Sequence, residues 1–302
     1  MWPERRALVG VMSTDVKNSR VSIVIPAWNE EKAIEGVVSQ LMRRLRNIEI
    51  IVVDDGSSDR TGDLARDGGA HVLRHDFRRG YGASLRSGIC ATKREYVLFC
   101  DADGQHSAED VALLIRHMEE CDMVVGCRGQ GSHVPFLRRP GKFVLRVFAD
   151  FLAGENIPDV NSGLRIIRRD VVVKYLHLMP SGFSFSTTST FALLKSGHRI
   201  KWVPITVKKR VGTSSVQQWR HGPQTLILML RLSVLFDPLK VFFAIDAVLL
   251  ALSLVSLCLD LFCSPEKGVG DATVMLTIAV LLVFLFGLLC DQVSALRRES
   301  HE

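Results

Sequence analysis

The stretch YVLFCDADGQHSAED, residues 96–110, decides the fold class of this chain. A run of apolar residues ends on Asp101 and Asp103, which only Ala102 separates, and an amphipathic pattern begins at Ser107. In open α/β sheets, ligands bind beyond the carboxyl ends of the strands. The stretch therefore predicts a buried strand, a ligand-binding loop and a helix, in that order.

The residues around this stretch repeat the same alternation of short apolar runs and helical patterns. Strands are predicted at 21–27, 48–55, 70–75, 96–101 and 122–128, and helices at 30–45, 58–66, 82–92 and 107–120. Such alternation predicts a parallel sheet covered by helices on both faces. Runs that are apolar throughout fit strands buried on both sides. We therefore expect an α/β domain with a mostly parallel sheet.

The C-terminal third is more apolar. Residues 241–262 and 273–293 are each about twenty residues long, enough to span a bilayer core of ~30 Å, and the short linker makes them a hairpin. Residues 216–240 predict an amphipathic segment lying on the membrane surface. Basic residues flank the pair outside the linker, which predicts a membrane protein whose main domain is cytoplasmic. The alternative is a buried helical hairpin in a soluble domain.

These patterns divide the chain into four parts. Residues 1–20 form an N-terminal tail without an apolar core long enough for a signal peptide. Residues 21–215 form the cytosolic domain, residues 216–240 the juxtamembrane segment, and residues 241–302 the two spans with a short tail.

The composition limits the classes of ligand and partner that the chain is expected to bind. A net charge of +6 and a pI near 9.0 suit phosphorylated substrates, anionic lipid or nucleic acid. Aromatic residues make up 7%, without basic–aromatic interleaving, which argues against nucleic acid. The seven cysteines form no CxxC pair and are predicted to be reduced thiols. No GxxxxGK[ST] or GxGxxG motif is present, which argues against P-loop and Rossmann enzymes.

The acid pair at residues 101 and 103 favours a divalent cation. Two carboxylates at i and i+2 reach one ion if the backbone curls after the strand, and Gln105 adds a neutral oxygen. Mg²⁺ and Mn²⁺ prefer oxygen ligands and leave positions for water and phosphate. The alternative is a capped helix start, with Asp103 or Ser107 accepting the first N–H groups.

Two further loops carry polar residues at predicted strand ends. Asp54 and Asp55 end the second predicted strand and can accept hydrogen bonds from a base or a ribose, or else stabilise a turn. Trp28 follows the first strand and can stack on a base, or else is an ordinary core or surface aromatic.

Six motifs in order then resemble a known family: VSIVIPAWNE, VVDDGSSD, DADGQH, GCR, DVNSGLRIIRRD and VPITVKKRVGTSS. Together they are similar to family 2 glycosyltransferases that act on polyprenyl phosphates, the group of dolichyl-phosphate mannose synthase. The two C-terminal spans resemble its bacterial two-helix branch. The resemblance implies a glycosyltransferase A-type domain, a UDP- or GDP-linked sugar donor, Mg²⁺ or Mn²⁺, an undecaprenyl or dolichyl phosphate acceptor and a homo-oligomer as one allowed assembly.

The resemblance also assigns roles by position. The nucleotide-sugar residues would be Pro26, Trp28, Glu30, Asp54, Asp55, Asp101, Ala102, Asp103 and Arg128. The metal residues would be Asp101, Asp103 and Gln105. The catalytic residues would be Asp103 and Asp159, the latter as base, orienter or metal ligand. The acceptor-phosphate residues would include Ser162, Arg210 and Ser214.

Three further basic residues join the acceptor set because basic side chains bind phosphate: Arg138, Arg165 and Lys209. Their alternative is a solvated face near anionic lipid. The chain also departs from the family pattern, with Trp28 where Tyr is frequent and Ser215 where Lys is frequent.

The expected reaction is an inverting, metal-dependent transfer of sugar to a lipid phosphate. One rival is a processive polysaccharide synthase, although its QxxRW element is absent and QQWRH at 217–221 has another order. The other rival is a catalytically silent membrane protein that binds nucleotide sugar or lipid.

Overall fold

The computed structural model describes residues 17–128, 150, 151, 154, 157–159, 162–182, 184–207, 227, 230, 231, 233–263, 266 and 268–299. The predicted phosphate ligands Arg138, Lys209, Arg210 and Ser214 lie outside these residues, as do most of the tail and of the 216–240 segment. The chain forms two compact units. The first comprises 1–141 and 157–222, and the second comprises 142–156 and 223–302.

The first unit is built on one mixed sheet. Its strands are β1 (Val21–Ala27), β2 (Glu49–Asp54), β3 (His71–Arg74), β4 (Tyr96–Phe99), β5 (Met123–Arg128), β6 (Arg165–Arg168) and β7 (Ile200–Ile205). They lie in the order β3-β2-β1-β4-β6-β5-β7. Every neighbouring pair is parallel except the two that involve β6. The expectation of a mostly parallel sheet is confirmed.

Helices connect these strands. They are α1 (Ile34–Arg44), α2 (Thr61–Asp67), α3 (Tyr81–Ala91), α4 (Ala108–His117), α5 (Arg169–Lys174) and α6 (Phe185–Lys195). The first helix begins later than the predicted residue 30. Asn29 has a left-handed φ of 54°, and Ala33 and Ile34 donate to the carbonyl of Glu30, so residues 28–33 form a turn.

The core confirms buried central strands. All seven residues of β1 are buried, because β2 and β4 pair with its two edges and helices cover its faces. The third predicted strand differs, since the four residues of β3 are exposed or half-buried. It lies at the edge of the sheet with β2 as its partner, and so lacks the cover of a central strand.

The direction of β6 matters for the position of the site. Ile166 pairs with Leu98 of β4 and with Val124 of β5, and both pairings are antiparallel. The first residue of β6, Arg165, therefore lies beside the carboxyl ends of both strands, opposite Phe99 and Val125. This reversal brings residues 162–165 to the same edge of the sheet as Asp101.

The second unit contains two long helices, α7 (Pro238–Cys263) and α8 (Asp271–Glu299). At ~1.5 Å per residue, both exceed the ~30 Å of a bilayer core. The most apolar 18-residue stretch of each helix has a mean hydropathy of 2.5 in α7 and 2.8 in α8. Only 17% and 11% of these stretches are buried. The predicted spans lie inside these helices, which form a pair apolar enough to cross a membrane.

A row of polar side chains joins the two helices. The Thr273 hydroxyl lies 2.7 Å from both Ser256 Oγ and Asp260 Oδ2, and Ser253 Oγ lies 2.9 Å from Thr277 Oγ1. Asp260 also accepts the N–H of Gly270 at 2.8 Å. Interhelical hydrogen bonds of this kind hold membrane helices together where no hydrophobic drive exists between them.

Candidate functional site

The candidate site lies at the carboxyl edge of the sheet. The loops after β1, β2 and β4 and the last residue of β5 reach this edge, and so does the described segment 162–164 that leads into β6. Most described members of the predicted site set lie at or just beyond these strand ends. The exceptions are Pro26, within β1, and Asp159, Ser162 and Arg165, which lie before β6 or at its start.

Asp101 and Asp103 lie in a tight turn after β4. The Asp103 Oδ1 accepts the Gln105 backbone N–H at 3.1 Å, and Gly104 takes a left-handed φ of 73°. The helix cap is Ser107, whose Oγ accepts the Asp110 N–H at 3.2 Å. Of the two residues considered as caps, Ser107 therefore caps the helix, Asp103 holds the turn, and Asp101 is left for another role. Its side chain is 31% exposed, the more accessible of the two acids.

Tyr81, at the start of α3, holds the Asp101 carboxylate. Its hydroxyl donates to Asp101 Oδ1 at 3.0 Å. Burial and the negative charge of Asp101 raise the pKa of Tyr81 well above 10.0. The phenol therefore stays protonated at physiological pH and remains a donor.

We predict that Tyr81→Phe weakens Mn²⁺ binding about tenfold, because loss of a partner that orients a ligand typically costs 10–100-fold. Electron paramagnetic resonance on the full chain in detergent measures the free Mn²⁺. Tyr175→Phe serves as the control, since that hydroxyl pairs with His198 instead. Equal Mn²⁺ affinities in both variants would contradict the orienting role.

Gly163 confines Asp101 from the other side. A Cβ on this residue would lie 2.5 Å from Asp101 Oδ2 and 3.0 Å from its Cγ. No real Cβ contact is that short, so only glycine fits beside the carboxylate in this arrangement. The backbone of the segment before β6 therefore packs directly against the acid.

Arg165 corrects one predicted phosphate ligand. Its side chain is fully buried, and its Nη1 donates to Ser186 O at 2.6 Å, Ser189 Oγ at 2.8 Å and Thr190 Oγ1 at 3.0 Å. Its Nε and Nη2 both donate to the carbonyl of Ser162. The guanidinium is thus committed to protein oxygens and fixes the segment that carries Gly163.

Arg165 stays charged in this surrounding. Burial lowers its pKa to about 10, which still leaves the guanidinium protonated at neutral pH. Ser162 is corrected with it, since this residue is 2% exposed and its hydroxyl donates to Leu164 O at 3.5 Å. We reassign both residues from phosphate binding to positioning.

Arg128 and Asp159 form a two-pronged ion pair. The Nε donates to Oδ2 at 2.7 Å and the Nη2 to Oδ1 at 2.8 Å. The hydrogen bond to Asp159 raises the pKa of Arg128 above its ordinary value. A carboxylate held by both prongs of a guanidinium is poorly suited to take a proton, and it fits an orienting role better.

The two acids after β2 have different surroundings. Asp54 Oδ1 accepts the Ser57 N–H at 3.0 Å, while its buried Oδ2 has no hydrogen-bond partner in the described part of the chain and lies 3.6 Å from Arg74 Nε. Asp55 accepts hydrogen bonds from His75 Nδ1 and from the backbone N–H groups of Arg79 and Gly80, each at 2.8 Å. Asp54 is therefore fully buried, with its Oδ2 enclosed by the protein near Arg74, whereas Asp55 holds the 75–80 segment.

The charge of Asp55 is stabilised in the fold. Burial alone would raise its pKa, but the hydrogen bonds from His75, Arg79 and Gly80 outweigh it and lower the pKa below the ordinary 3.8. Because the folded pKa is depressed, this stabilisation is complete above pH 3.8 and is lost as the pH falls through the folded value.

Asp55→Asn places an amide N–H₂ against backbone donors and leaves buried groups unsatisfied. We expect a loss of about 1–3 kcal/mol in the free energy of unfolding at pH 7. Denaturant unfolding of the full chain in detergent measures it, with the exposed Asp63→Asn as control. The difference from wild type should shrink below pH 3.8. A difference that persisted unchanged at pH 2 would argue against the charge of Asp55 as its source.

The loop after β1 is tied to the loop after β2. The Asn29 N–H donates to Ser57 Oγ at 3.0 Å, and the Glu30 N–H donates to Thr61 Oγ1 at 2.9 Å. These bonds place Trp28 and Glu30 at the site edge. Trp28 is half-buried, and the guanidinium of Arg78 lies over its ring at 3.6 Å from the centroid.

Two predicted nucleotide residues have buried side chains. Pro26 is buried within β1, opposite Val53, and Ala102 is 4% exposed and belongs to the hydrophobic core. Their side chains pack inward and contribute to the fold.

The residues at the Asp101 turn fit a divalent cation that substrate oxygens would complete. In the described ranges, no three His, Cys, Asp or Glu side chains converge on one metal position. The side chain of His106 is 7% exposed; its Nδ1 lacks a hydrogen-bond partner among the described residues, and its Nε2 lies 3.9 Å from Asp101 Oδ2. The Asp101 carboxylate is partly exposed, is fixed on two sides and lies beside His106, whose Nδ1 lacks a partner among the described residues. These features suit a metal site with few protein ligands.

Sequence reasoning missed Tyr81, His75 and Arg78. All three lie between β3 and the first turn of α3. They belong to or precede the stretch GYGASLRSG at 80–88, which contains no phosphate-loop motif and so predicts no ligand contact. The glycine at its start, with a φ of 104°, was the available signal for a tight turn that presents Tyr81.

Comparison with known proteins gives two family matches. Residues 22–176 match Glycosyl transferase family 2, and residues 237–296 match the GtrB C-terminal hairpin. The undecaprenyl-phosphate mannosyltransferase of Micrococcus luteus is 29% identical over 65% of this chain and 87% of its own length. The polyprenol monophosphomannose synthase of Mycolicibacterium smegmatis is 30% identical over 63% and 78%.

A solved structure shares the fold of the chain. Glucosyl-3-phosphoglycerate synthase from Mycobacterium tuberculosis, solved with Mn²⁺, uridine diphosphate and phosphoglyceric acid, aligns with a TM-score of 0.64 and 22% identity. The alignment covers 76% of this chain and 84% of that protein. It confirms the glycosyltransferase A-type architecture predicted for the first unit.

Proposed function

We propose that this chain, which belongs to Glycosyl transferase family 2 and ends in a GtrB-type hairpin, transfers one sugar to a polyprenyl phosphate. The sugar comes from a nucleoside diphosphate sugar. The donor is UDP- or GDP-linked, the acceptor is undecaprenyl or dolichyl phosphate, and the anomeric configuration inverts. The relatives named for undecaprenyl-phosphate and polyprenol mannosyl transfer support this acceptor class.

One observation carries the proposal. Asp101 lies at the carboxyl edge of the sheet, oriented by Tyr81 on one side and confined by Gly163 on the other. A fixed carboxylate in this position, followed two residues later by Asp103, is the arrangement expected for binding a donor diphosphate through Mg²⁺ or Mn²⁺.

The chemistry follows from the charges of the reactants. A phosphate monoester has a second pKa near 6, so the acceptor is largely dianionic at pH 7 and needs little deprotonation. The barrier lies at the leaving nucleoside diphosphate, where negative charge accumulates. A bound divalent cation would neutralise that charge. Asp101 and Asp103 would hold the cation, and preorganised charge of this kind is often the largest catalytic contribution.

The remaining residues position the reactants. The Arg128–Asp159 pair lies at the end of β5 and keeps Asp159 in one orientation. In this proposal Asp159 orients the acceptor and does not act as a base.

The helical pair would place the reaction at a membrane. The lipid tail of a polyprenyl phosphate is confined to the bilayer, so an enzyme anchored by two spans meets its acceptor at the surface. The basic residues outside the hairpin linker favour a cytoplasmic catalytic unit in the plasma membrane. The same basic residues would also attract the anionic phosphate of the acceptor to the membrane surface.

The experiment incubates the purified full chain with Mn²⁺, undecaprenyl or dolichyl phosphate, and a panel of UDP- and GDP-sugars. Mass spectrometry of the lipid extract then identifies the product. We expect one donor to give a polyprenyl phosphate that carries one sugar, and the unphosphorylated polyprenol to stay unmodified.

The rival functions give other results in the same assay. A lipid that carries a ladder of sugars would indicate a processive synthase. A lipid that stays unmodified with every donor, while a nucleotide sugar binds, would indicate a silent binding protein. Sugar attached equally to polyprenol would contradict the need for an acceptor phosphate.

A further inference from the structure

Arg78 lies on the face of Trp28. Its guanidinium carbon is 3.6 Å from the centroid of the indole ring. Nonbonded atoms in contact lie about 3.5–4.0 Å apart, so the two groups are in direct stacking contact. Trp28 follows β1 and Arg78 precedes α3, and both belong to loops at the carboxyl edge of the sheet.

The backbone that carries Arg78 is fixed without the help of its side chain. Asp55 accepts the N–H groups of Arg79 and Gly80 at 2.8 Å each. A Cβ on Gly56 would lie 2.8 Å from the Phe77 carbonyl carbon and 3.0 Å from the Arg78 nitrogen, so the two loops pack backbone to backbone. The Arg78 side chain itself is exposed. A long, exposed side chain therefore extends from an anchored backbone onto a half-buried ring.

We propose that Trp28 and Arg78 form the two faces of a clamp for the nucleobase of the donor. The base enters between them, with its inner face on the indole and its outer face under the guanidinium. This inference rests on the proposed function, because it presumes a nucleotide donor. The inserted base adds a layer about 3.5 Å thick, which the Arg78 side chain accommodates by rotating outward over its fixed backbone.

The indole of Trp28 and the guanidinium of Arg78 can both stack on a nucleobase. Every nucleobase has a π-face that stacks on aromatic side chains without regard to sequence. Arginine adds a planar, delocalised cation that stacks on such faces, which a lysine ammonium does not match. The clamp therefore provides affinity for a base of either size, and choice between uracil and guanine falls to groups that read the edge of the base.

The test compares nucleotide with base-free diphosphate. Isothermal titration calorimetry on the full chain in detergent, with Mn²⁺ present, gives Kd values for UDP, GDP and inorganic pyrophosphate. We expect Arg78→Ala to weaken the nucleotide that the wild type binds by about tenfold, in line with the size of stacking effects. Pyrophosphate affinity should change less than about twofold. Arg78→Lys should retain the charge but lose most of the effect of the stack.

Arg79→Ala is the matched control, because it removes the same charge from the next position while the Arg79 side chain lies over Phe77 and not over Trp28. Its effect on UDP or GDP should equal its effect on pyrophosphate. Trp28→Leu combined with Arg78→Ala should cost less than the sum of the two single changes, since both act on one base.

Three results with the Arg78→Ala variant would overturn the clamp. Nucleotide affinity in Arg78→Ala equal to wild type would exclude a contact with the base. Tighter binding would mean that Arg78 only competes with the base for Trp28. Equal losses for nucleotide and pyrophosphate would assign Arg78 to the diphosphate. A wild type that binds neither UDP nor GDP overturns the proposed function as well, which distinguishes the two failures.

Discussion

Replacing Asp101 by alanine should lower the rate of sugar transfer about a thousandfold, and replacing Asp103 should have an effect of similar size. Asp101 is the more exposed of the two acids and accepts a hydrogen bond from Tyr81 at 3.0 Å, and Asp103 follows it in the same turn. Without a carboxylate to hold the cation, the charge on the leaving diphosphate is not neutralised, and losses of preorganised charge cost about 10²–10³-fold for a single group.

The measurement pairs initial rates with Mn²⁺ binding. Asp101→Asn keeps an oxygen for the Tyr81 hydroxyl but removes the charge, so it should also lose Mn²⁺ affinity. Glu109→Gln is the control, because it removes an exposed acid from the following helix. Circular dichroism should show folded variants throughout. Transfer within tenfold of wild type in either alanine variant, or full activity with a chelator, would exclude the metal role of the pair.

Adding a single methyl group at Gly163 should lower activity about a hundredfold in a folded protein. The new Cβ would lie 2.5 Å from Asp101 Oδ2 and 3.0 Å from both Cγ and Oδ1. Since Arg165 holds the adjacent Ser162 carbonyl with two donors, the segment has little freedom to retreat. The carboxylate must therefore rotate away from its hydrogen bond with Tyr81. Displacements of about 1 Å at a catalytic group typically cost 10²-fold.

The control for this substitution is Gly36→Ala. Gly36 lies in α1, and a Cβ there meets nothing within 4 Å. Alanine is also the better helix former, so this variant should be fully active and slightly more stable. The rate and the Mn²⁺ affinity of Gly163→Ala should fall together. A Gly163→Ala enzyme with wild-type activity would show that the carboxylate need not keep its position.

The sequence predicted the elements whose signal is local. An apolar run fixed the bounds of β1, Val21–Ala27, and the length of two apolar stretches located α7 and α8. The acids after the strands were found because carboxylates are unexpected beside buried runs. Each of these inferences needs only neighbouring residues, which is why it held.

Features that depend on distant contacts were not predicted. The residue pattern of β6 does not encode its direction, so the reversal that brings Gly163 to Asp101 was not foreseen. Arg165 was predicted to be a phosphate ligand because basic side chains bind phosphate. In the structure, the partners of Arg165 Nη1 are serine and threonine residues in the first half of α6, and these residues are buried. A polar segment of this kind does not predict burial from its sequence.

The identity of the released nucleotide tests the proposed reaction most directly. Phosphorus nuclear magnetic resonance can follow donor, polyprenyl phosphate and products in one sample of the full chain with Mn²⁺. We predict one nucleoside diphosphate released for each polyprenyl phosphate converted into a phosphodiester-linked sugar. Release of nucleoside monophosphate with a diphosphate-linked lipid, or of nucleoside diphosphate without loss of polyprenyl phosphate, would contradict sugar transfer to the lipid phosphate.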